Sequence, residues 1–255
     1  MALFRNAFVR LPCRNMIHGL STAGLGRPDF PKSLEQHTAY ADALRACGLA
    51  VTILAADDAF PDSVFIEDTA VLSEKVAVIT RPGASSRRGE ERSVAEALRS
   101  HYPGLEAICV PGTLEGGDVF KAGDHFFIGI SARTNKAGAR QLAAILQAHG
   151  YAATAVPLRA VLHLKTGVAY LENNRLLACG EFLDHPLLSA FEIIPVPKAE
   201  TYAANSVWIN GRVLVPAGFP QTKKKLEAFG YEVIPVDVSE FRKLDGGLSC
   251  LSLRF

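Results

Sequence analysis

The sequence predicts an α/β fold, a five-bladed α/β propeller of ββαβ units with pseudo-five-fold symmetry around a central channel. Three observations predict it. Five times a helical or short turn segment runs through a glycine or tight turn into a short apolar strand. Pairs of short apolar strands lie between these segments. The pattern returns with a period of roughly 50 residues, as radial repetition requires.

Residues 6–11 (NAFVRL) read as a first strand. Residues 33–47 form an amphipathic helix that stops at Gly48 ahead of LAVTIL. A strand pair over 65–72 and 76–80 precedes a helix over 91–103, Gly104 and LEAICV. A second pair, 118–121 with 125–129, precedes the helix 136–149, Gly150 and YAATAV. In that helix Leu142, Ile145 and Leu146 give the i, i+3, i+4 stripe of a core-facing face. A third pair, 167–171 with 176–179, is followed by a short helix over 186–191 and EIIPV. The last, 206–209 with 213–215, leads to the helix 221–229, Gly230 and YEVIPV. The glycines stand where a helix end favours a left-handed residue. Ala122-Gly123-Asp124, Glu172-Asn173-Asn174 and Asn210-Gly211 carry hairpin signatures. The competing architecture is an open α/β sheet, but no G-x-G-x-x-G opens a helix after a strand, which argues against a dinucleotide site.

Bulk composition narrows the function. The 255 residues are 49% hydrophobic, enough for a sizeable core, and are read as one catalytic domain over 1–255. A net charge of +1 gives no long-range attraction to nucleic acid or an acidic membrane. No run of about 18 apolar residues is present to form a membrane span. Five scattered cysteines without a CxxC pair argue against a disulfide framework or a structural zinc, and no histidine shows metal-ligand spacing. No metal is expected. Residues 1–28 hold Arg5, Arg10, Arg14 and Arg27 and no acid, as a transit peptide does. They are poor in serine and include the first strand, so a cytoplasmic location is expected.

Polar clusters recur at the start of the first hairpin strand of each unit, which a propeller brings to one channel mouth. Asp62, Glu67 and Asp68 form an acidic wall suited to a cation, and the apolar Val64, Phe65 and Ile66 between them indicate burial. Glu115 lies beside Gly116 and Gly117, which remove bulk where a ligand or a histidine must come close. His163 occupies the same unit position in an apolar stretch. The run 81–88 and Arg133 offer guanidinium groups for a carboxylate. Cys250 follows Gly246-Gly247 and precedes an alternating Leu–polar run, the setting of a nucleophile on a strand end. Carboxylates facing cations suit a zwitterion with a further positive charge, an arginine-like amino acid. A thiol with an imidazole suits attack on its guanidinium carbon.

The strings FPDSVFIED, ITRPGASSRRGE, TLEGGD, GDHFFIGISARTN, LHLKTG, NSVWIN and LDGGLSCLSLRF closely resemble the dimethylarginine dimethylaminohydrolase family of the amidinotransferase and arginine deiminase (pentein) superfamily. The resemblance runs from about residue 8 to the C-terminus. It implies the same five-bladed fold and cofactor-free hydrolysis of methylated arginines to citrulline and a methylamine, which lowers inhibitors of nitric oxide synthase where these exist. It implies Cys250 as nucleophile, His163 as general acid and then base, and Glu115 as the carboxylate supporting that histidine. Asp68 with Glu67 would pair with the guanidinium, and Arg87 with Arg133 would hold the α-carboxylate. Asp62 and the carbonyls of Leu20 and Leu244 would take the α-amino group, under a lid over residues 20–26. The alternative activity is arginine deiminase-like, on unmethylated arginine. The expected partner is a small molecule, with a homodimer as the assembly considered.

Overall fold

The computed structural model describes residues 3–255. The chain opens with β1 (Asn6–Arg10), α1 (Phe30–Ala46) and β2 (Ala50–Leu54). The second unit is β3 (Ala70–Leu72), β4 (Ala77–Ile79), α2 (Glu91–Leu98) and β5 (Leu105–Ala107). The third is β6 (Val119–Ala122), β7 (His125–Ile130), α3 (Lys136–Ala148) and β8 (Ala152–Pro157). The fourth is the one-turn helix α4 (Leu164–Gly167) with β9 (Val168–Tyr170), β10 (Arg175–Ala178) and β11 (Glu192–Pro195). The fifth is β12 (Val207–Ile209), β13 (Arg212–Pro216), α5 (Pro220–Ala228) and β14 (Glu232–Val236), and β15 (Leu253–Arg254) ends the chain.

These strands make five three-stranded sheets, β15-β1-β2, β3-β4-β5, β6-β7-β8, β9-β10-β11 and β12-β13-β14. In each, the middle strand pairs antiparallel with the first and parallel with the third. The first blade takes its inner strand from the other end of the chain, with Phe8 opposite Leu253.

Five apolar cores sit between successive blades. Phe8 and Leu253 pack with Ala77 and Val94, and Val71 and Val78 with Phe126 and Leu142. Phe120 and Val156 pack with Val168 and Leu176, Ala169 and Leu177 with Trp208 and Val213, and Leu214 and Val236 with Tyr40 and Val9. The last of these returns to the first blade, so the five blades form a closed ring.

Local chemistry explains the boundaries. Asp29 and Asn135 cap α1 and α3 by accepting from the backbone N–H groups of Lys32 and Gly138. Gly48, Gly150 and Gly230 have φ of 88°, 81° and 87°, as the sequence reading of helix ends requires, whereas Gly104 is not left-handed, because the helix before it has already ended at Leu98. Asn210 and Gly211 have φ of 51° and 93°, the two left-handed residues of a type I′ hairpin.

Four expectations need correction. The helix expected over 91–103 ends at Leu98, where Pro103 has no N–H to offer the Arg99 carbonyl and so cannot carry the helix on. The helix expected over 186–191 is a single 3₁₀ turn, Pro186–Leu188. The strand expected over 105–110 stops at Ala107, ahead of Pro111. The strand expected over 65–72 begins only at Ala70, because Ile66–Thr69 is a 3₁₀ turn closed by the Thr69 hydroxyl on the Ile66 carbonyl. Among the described residues, no helix is long and apolar enough to cross a membrane.

If β15 closes the ring, deleting residues 252–255 removes the buried Leu253 and one strand of the first blade. Denaturant unfolding should show a loss of at least about 3 kcal/mol. An unchanged midpoint would mean that the ring holds without this strand.

Candidate active site

Immediately ahead of the inner strand of each blade lies a short helical segment. These are Ile66–Thr69, Gly116–Asp118, α4, Lys198–Ala204 and Ser249–Leu251. The clusters read from the sequence sit on or beside four of them. Cys250 therefore lies within a 3₁₀ turn, not on the strand end expected for it. His163 is the residue before α4, and its backbone N–H donates to the Thr166 hydroxyl.

A cavity of about 170 Å³ opens at this mouth of the channel. Its walls include Cys250, His163, Glu115, Asp62, Asp68, Arg87, Arg133, Leu20 and Leu244. Glu67, the tenth residue expected here, does not line it. Its carboxylate accepts from Lys165 Nζ at 2.7 Å, Ser249 Oγ at 2.7 Å and Arg254 Nη2 at 3.1 Å. It faces a larger cavity of about 520 Å³ that is also lined by Lys165, Ser249 and Arg254. Neighbouring residues on a tight turn point apart, so only Asp68 faces the smaller cavity.

Glu115 Oε2 lies 2.7 Å from His163 Nε2, and Glu115 Oε1 accepts from the Ala84 N–H at 3.2 Å, with Arg133 Nη1 at 3.6 Å. Burial alone would disfavour an imidazolium at His163. The charges of Asp68, Glu115 and Asp118 outweigh burial and raise its pKa to about 9. Burial likewise opposes ionisation of Glu115, but the bond to His163 and the charges of His163, Arg87 and Arg133 lower it to about 2. The thiol behaves in the opposite way. Burial, with the charges of Glu67 and Asp68, pushes Cys250 up to about 12, against the lowering effect of the Gly247 N–H and Lys165. That N–H donates to Sγ at 3.4 Å.

Asp68 accepts from the Gly117 N–H at 2.8 Å and from Arg87 Nη1 at 2.6 Å. Buried Arg87 also donates to Glu90 at 2.5 Å and to the Phe65 carbonyl at 2.9 Å, while its Nε has no partner. Asp62 accepts from the Leu20 N–H at 2.9 Å, and burial raises its pKa. The segment expected to form a lid is tied down where Thr22 donates through its N–H and hydroxyl to Asp245 and the Ser21 hydroxyl donates to the Lys243 carbonyl.

The glycines fit this crowding. A Cβ at Gly117 would stand 2.9 Å from Asp68 Oδ1 and 3.0 Å from the His163 ring, which is the close histidine contact read from the sequence. At Gly246 it would stand 2.2 Å from the Phe65 ring, so this glycine makes room for the protein, not for a ligand.

Asp68, Glu115 and His163 bring three ligand-capable atoms within 4.8 Å of one another, a spacing that could hold a cation. The positive charge beside these carboxylates comes from Arg87, Arg133 and His163 itself. The sequence reading missed Glu90 and Asp118. Glu90 is fully buried against Arg87, and burial raises it to about 7 despite that partner. Asp118 accepts from the Leu164 N–H and the Ser131 hydroxyl, fixing the turn that carries His163. The i, i+3 spacing of Arg87 and Glu90 was a signal for the first, and the TLEGGD string contained the second.

The geometry is that of a thiol–imidazole–carboxylate site sunk in the mouth of a five-bladed α/β propeller. Residues 30–252 match the family described as N,N dimethylarginine dimethylhydrolase, eukaryotic. The dimethylarginine dimethylaminohydrolase of Pseudomonas aeruginosa is 53% identical over 99% of this chain and 100% of its own, and that of Streptomyces coelicolor is 40% identical over 98% and 96%. A solved structure of the Pseudomonas enzyme, a cysteine-to-serine mutant complexed with citrulline, superposes with a TM-score of 0.98 at 52% identity and full coverage of both chains. The chain belongs to the dimethylarginine dimethylaminohydrolase family.

The Glu115–His163 pair carries a pH signature. The raised histidine contributes stability that is whole below about 6.5 and lost as pH rises through about 9. The lowered carboxylate contributes stability that is whole above about 4.5 and lost as pH falls through about 2. Glu115→Gln should therefore cost about 3 kcal/mol of unfolding free energy at about pH 6 and clearly less at about pH 10. Equal penalties at the two pH values would show that the contact is not an ion pair.

Proposed function

We propose that this chain hydrolyses N-omega-methylated arginines to citrulline and methylamine or dimethylamine, using Cys250 as the nucleophile. The observation that carries the reading is the convergence of the Cys250 thiol, the Glu115-bound His163 ring and the Asp68 carboxylate in one small cavity. The full-length likeness to enzymes named for this reaction supports it.

In this reading the substrate guanidinium lies against Asp68. The α-carboxylate meets Arg133 and the unpartnered Nε of Arg87, and the α-amino group meets Asp62 and the carbonyls of Leu20 and Leu244. Glu67 acts from outside the cavity, through Ser249 and through its charge near the thiol.

At rest the thiol is neutral and His163 is an imidazolium. The incoming guanidinium places a positive charge beside Sγ, which favours loss of the thiol proton to solvent. The thiolate attacks the guanidinium carbon, forming a C–S bond. His163 gives its proton to the dimethylamino nitrogen as the C–N bond breaks, leaving a thiouronium and neutral His163. That ring then takes a proton from water as the hydroxide adds to the same carbon. Collapse breaks the C–S bond as the hydroxyl proton passes to the departing sulfur, which leaves citrulline and the neutral Cys250 thiol. Glu115 holds the ring orientation in both steps. No cofactor enters this scheme.

We read residues 1–255 as one catalytic unit working in a reducing cytoplasm, where the buried thiols of Cys13, Cys47 and Cys179 stay free. A homodimer is the assembly to test, by sedimentation.

Cys250→Ser should leave the thermal transition close to wild type and lower citrulline release from asymmetric dimethylarginine by at least about 10³-fold. Near-normal turnover would remove Cys250 as nucleophile. Wild-type turnover of dimethylarginine should also exceed that of arginine, and the reverse order would favour the deiminase-like activity. Substrate-driven activation makes a separate prediction. The thiolate ultraviolet absorbance should be absent from the free enzyme at neutral pH, because burial and the charges of Glu67 and Asp68 push the thiol well above its usual range. In His163→Gly, a bound alkylguanidinium should make it appear. A thiolate already present without ligand would rule out activation by the substrate.

A further inference from the structure

Asn205, from the NSVWIN string, joins the turn of the nucleophile to the turn of the histidine. It is buried between Lys198–Ala204 and β12. Its Oδ1 accepts from the Ser249 N–H at 2.9 Å. Its Nδ2 donates to the Lys165 carbonyl at 3.0 Å and to Ser249 Oγ at 3.1 Å. Ser249 immediately precedes Cys250, and Lys165 is the second residue after His163. The Ser249 hydroxyl continues the chain by donating to Glu67.

The sequence around the nucleophile is shaped to this amide. A Cβ at Gly247 would stand 2.5 Å from Asn205 Cγ and Oδ1, so glycine there lets the amide reach the turn. The same glycine donates its N–H to Cys250 Sγ. A carboxamide is the group that can bind an N–H and a C=O on two chain segments at once. Aspartate keeps the acceptor but loses both donations, and it would set a carboxylate against the Lys165 carbonyl.

We propose that Asn205 is a positioning residue for the hydrolysis, holding the Cys250 turn and the His163 turn in register while touching neither the substrate nor the reacting atoms. This rests on the function proposed above. The two steps need the thiolate on one side of the guanidinium carbon and the imidazole at the leaving nitrogen. A displacement of about 1 Å between them lowers the rate by up to about 10²-fold without weakening substrate binding.

The test compares wild type, Asn205→Ala, Asn205→Asp, Ser249→Ala and Ser249→Thr in citrulline release from dimethylarginine. Asn205→Ala should lower kcat about 10- to 100-fold with KM within about twofold of wild type. Ser249→Ala should lower kcat in the same way with KM held. Ser249→Thr, which keeps the hydroxyl between Glu67 and Asn205, should restore it. Asn205→Asp, which keeps the bond from the Ser249 N–H and loses the one to the Lys165 carbonyl, should lower kcat with KM held and decides the matter if Asn205→Ala does not fold. A folded Asn205→Ala with wild-type kcat would overturn the proposal. So would a rise in KM matching the fall in kcat, or a Ser249→Thr as impaired as Ser249→Ala. A silent wild type would instead sink the proposed function, which separates the two failures.

Discussion

β15 pairs with β1 across the whole length of the chain, and the site depends on that contact. It supplies the inner strand of the first blade, without which Phe8 and Ala7 lose an antiparallel neighbour. The turn carrying Cys250 is the short stretch leading into this strand, so closing the ring and placing the thiol are one event. Bonds from several blades brace that turn. The Tyr40 hydroxyl, from α1, donates to the Leu248 carbonyl and lies 2.6 Å from the Ser252 hydroxyl. Arg254 reaches back to the Ser249 carbonyl and to Glu67, which belongs to the second blade. Asn205, from the approach to the fifth blade, takes the Ser249 N–H.

The second constraint is charge. Asp68, Glu90, Glu115 and Asp118 are all buried, and an isolated carboxylate at such positions would be expensive. Each is offset by specific partners: Arg87 between Asp68 and Glu90, His163 and Arg133 at Glu115, and the Leu164 N–H with the Ser131 hydroxyl at Asp118. Because these partners come from different turns, the ion pairs fix geometry as well as charge. Donors and acceptors held this way need little reorganisation during a reaction. Gly83 shows how closely the loops are drawn together, since a Cβ there would stand 2.3 Å from the Arg133 carbonyl.

The five-fold pattern was legible because its signals are local. Helix-ending glycines, the Asn210-Gly211 hairpin and short apolar runs each depend on a few neighbouring residues. The one-turn segments ahead of the inner strands were not legible. Ile66-Glu67-Asp68-Thr69 looks like the start of a strand, and the bonds that curl it include Arg87 on the Phe65 carbonyl, which is a tertiary contact. The same curl decided the one misplaced residue. Glu67 and Asp68 are adjacent carboxylates in an acidic string, and only the turn's geometry sends one into the small cavity and the other toward Lys165 and Arg254. At Gly246 and Gly247 the groups that leave no room for a side chain are Phe65 and Asn205. Asn205 and Ser249 were missed because small polar residues beside strands are common, and nothing local sets these apart.

The charges around Cys250 and His163 invert what a thiol next to an imidazole ordinarily does. Such a pair usually rests as thiolate and imidazolium, each stabilising the other. Here the imidazolium is satisfied by Asp68 and Glu115, while burial first, and then the charges of Glu67 and Asp68, oppose a negative charge at Sγ. In the reaction proposed above, the resting thiol is therefore neutral. In the proposed reaction a cation in the cavity offsets the charges of Glu67 and Asp68, and the guanidinium is that cation. The carboxylate that recognises the substrate is thus one of the groups that silence the nucleophile beforehand. Recognition and activation become the same electrostatic contact. Citrulline, an uncharged urea, cannot restore the thiolate, so the product loses both the binding partner and the means of being attacked again.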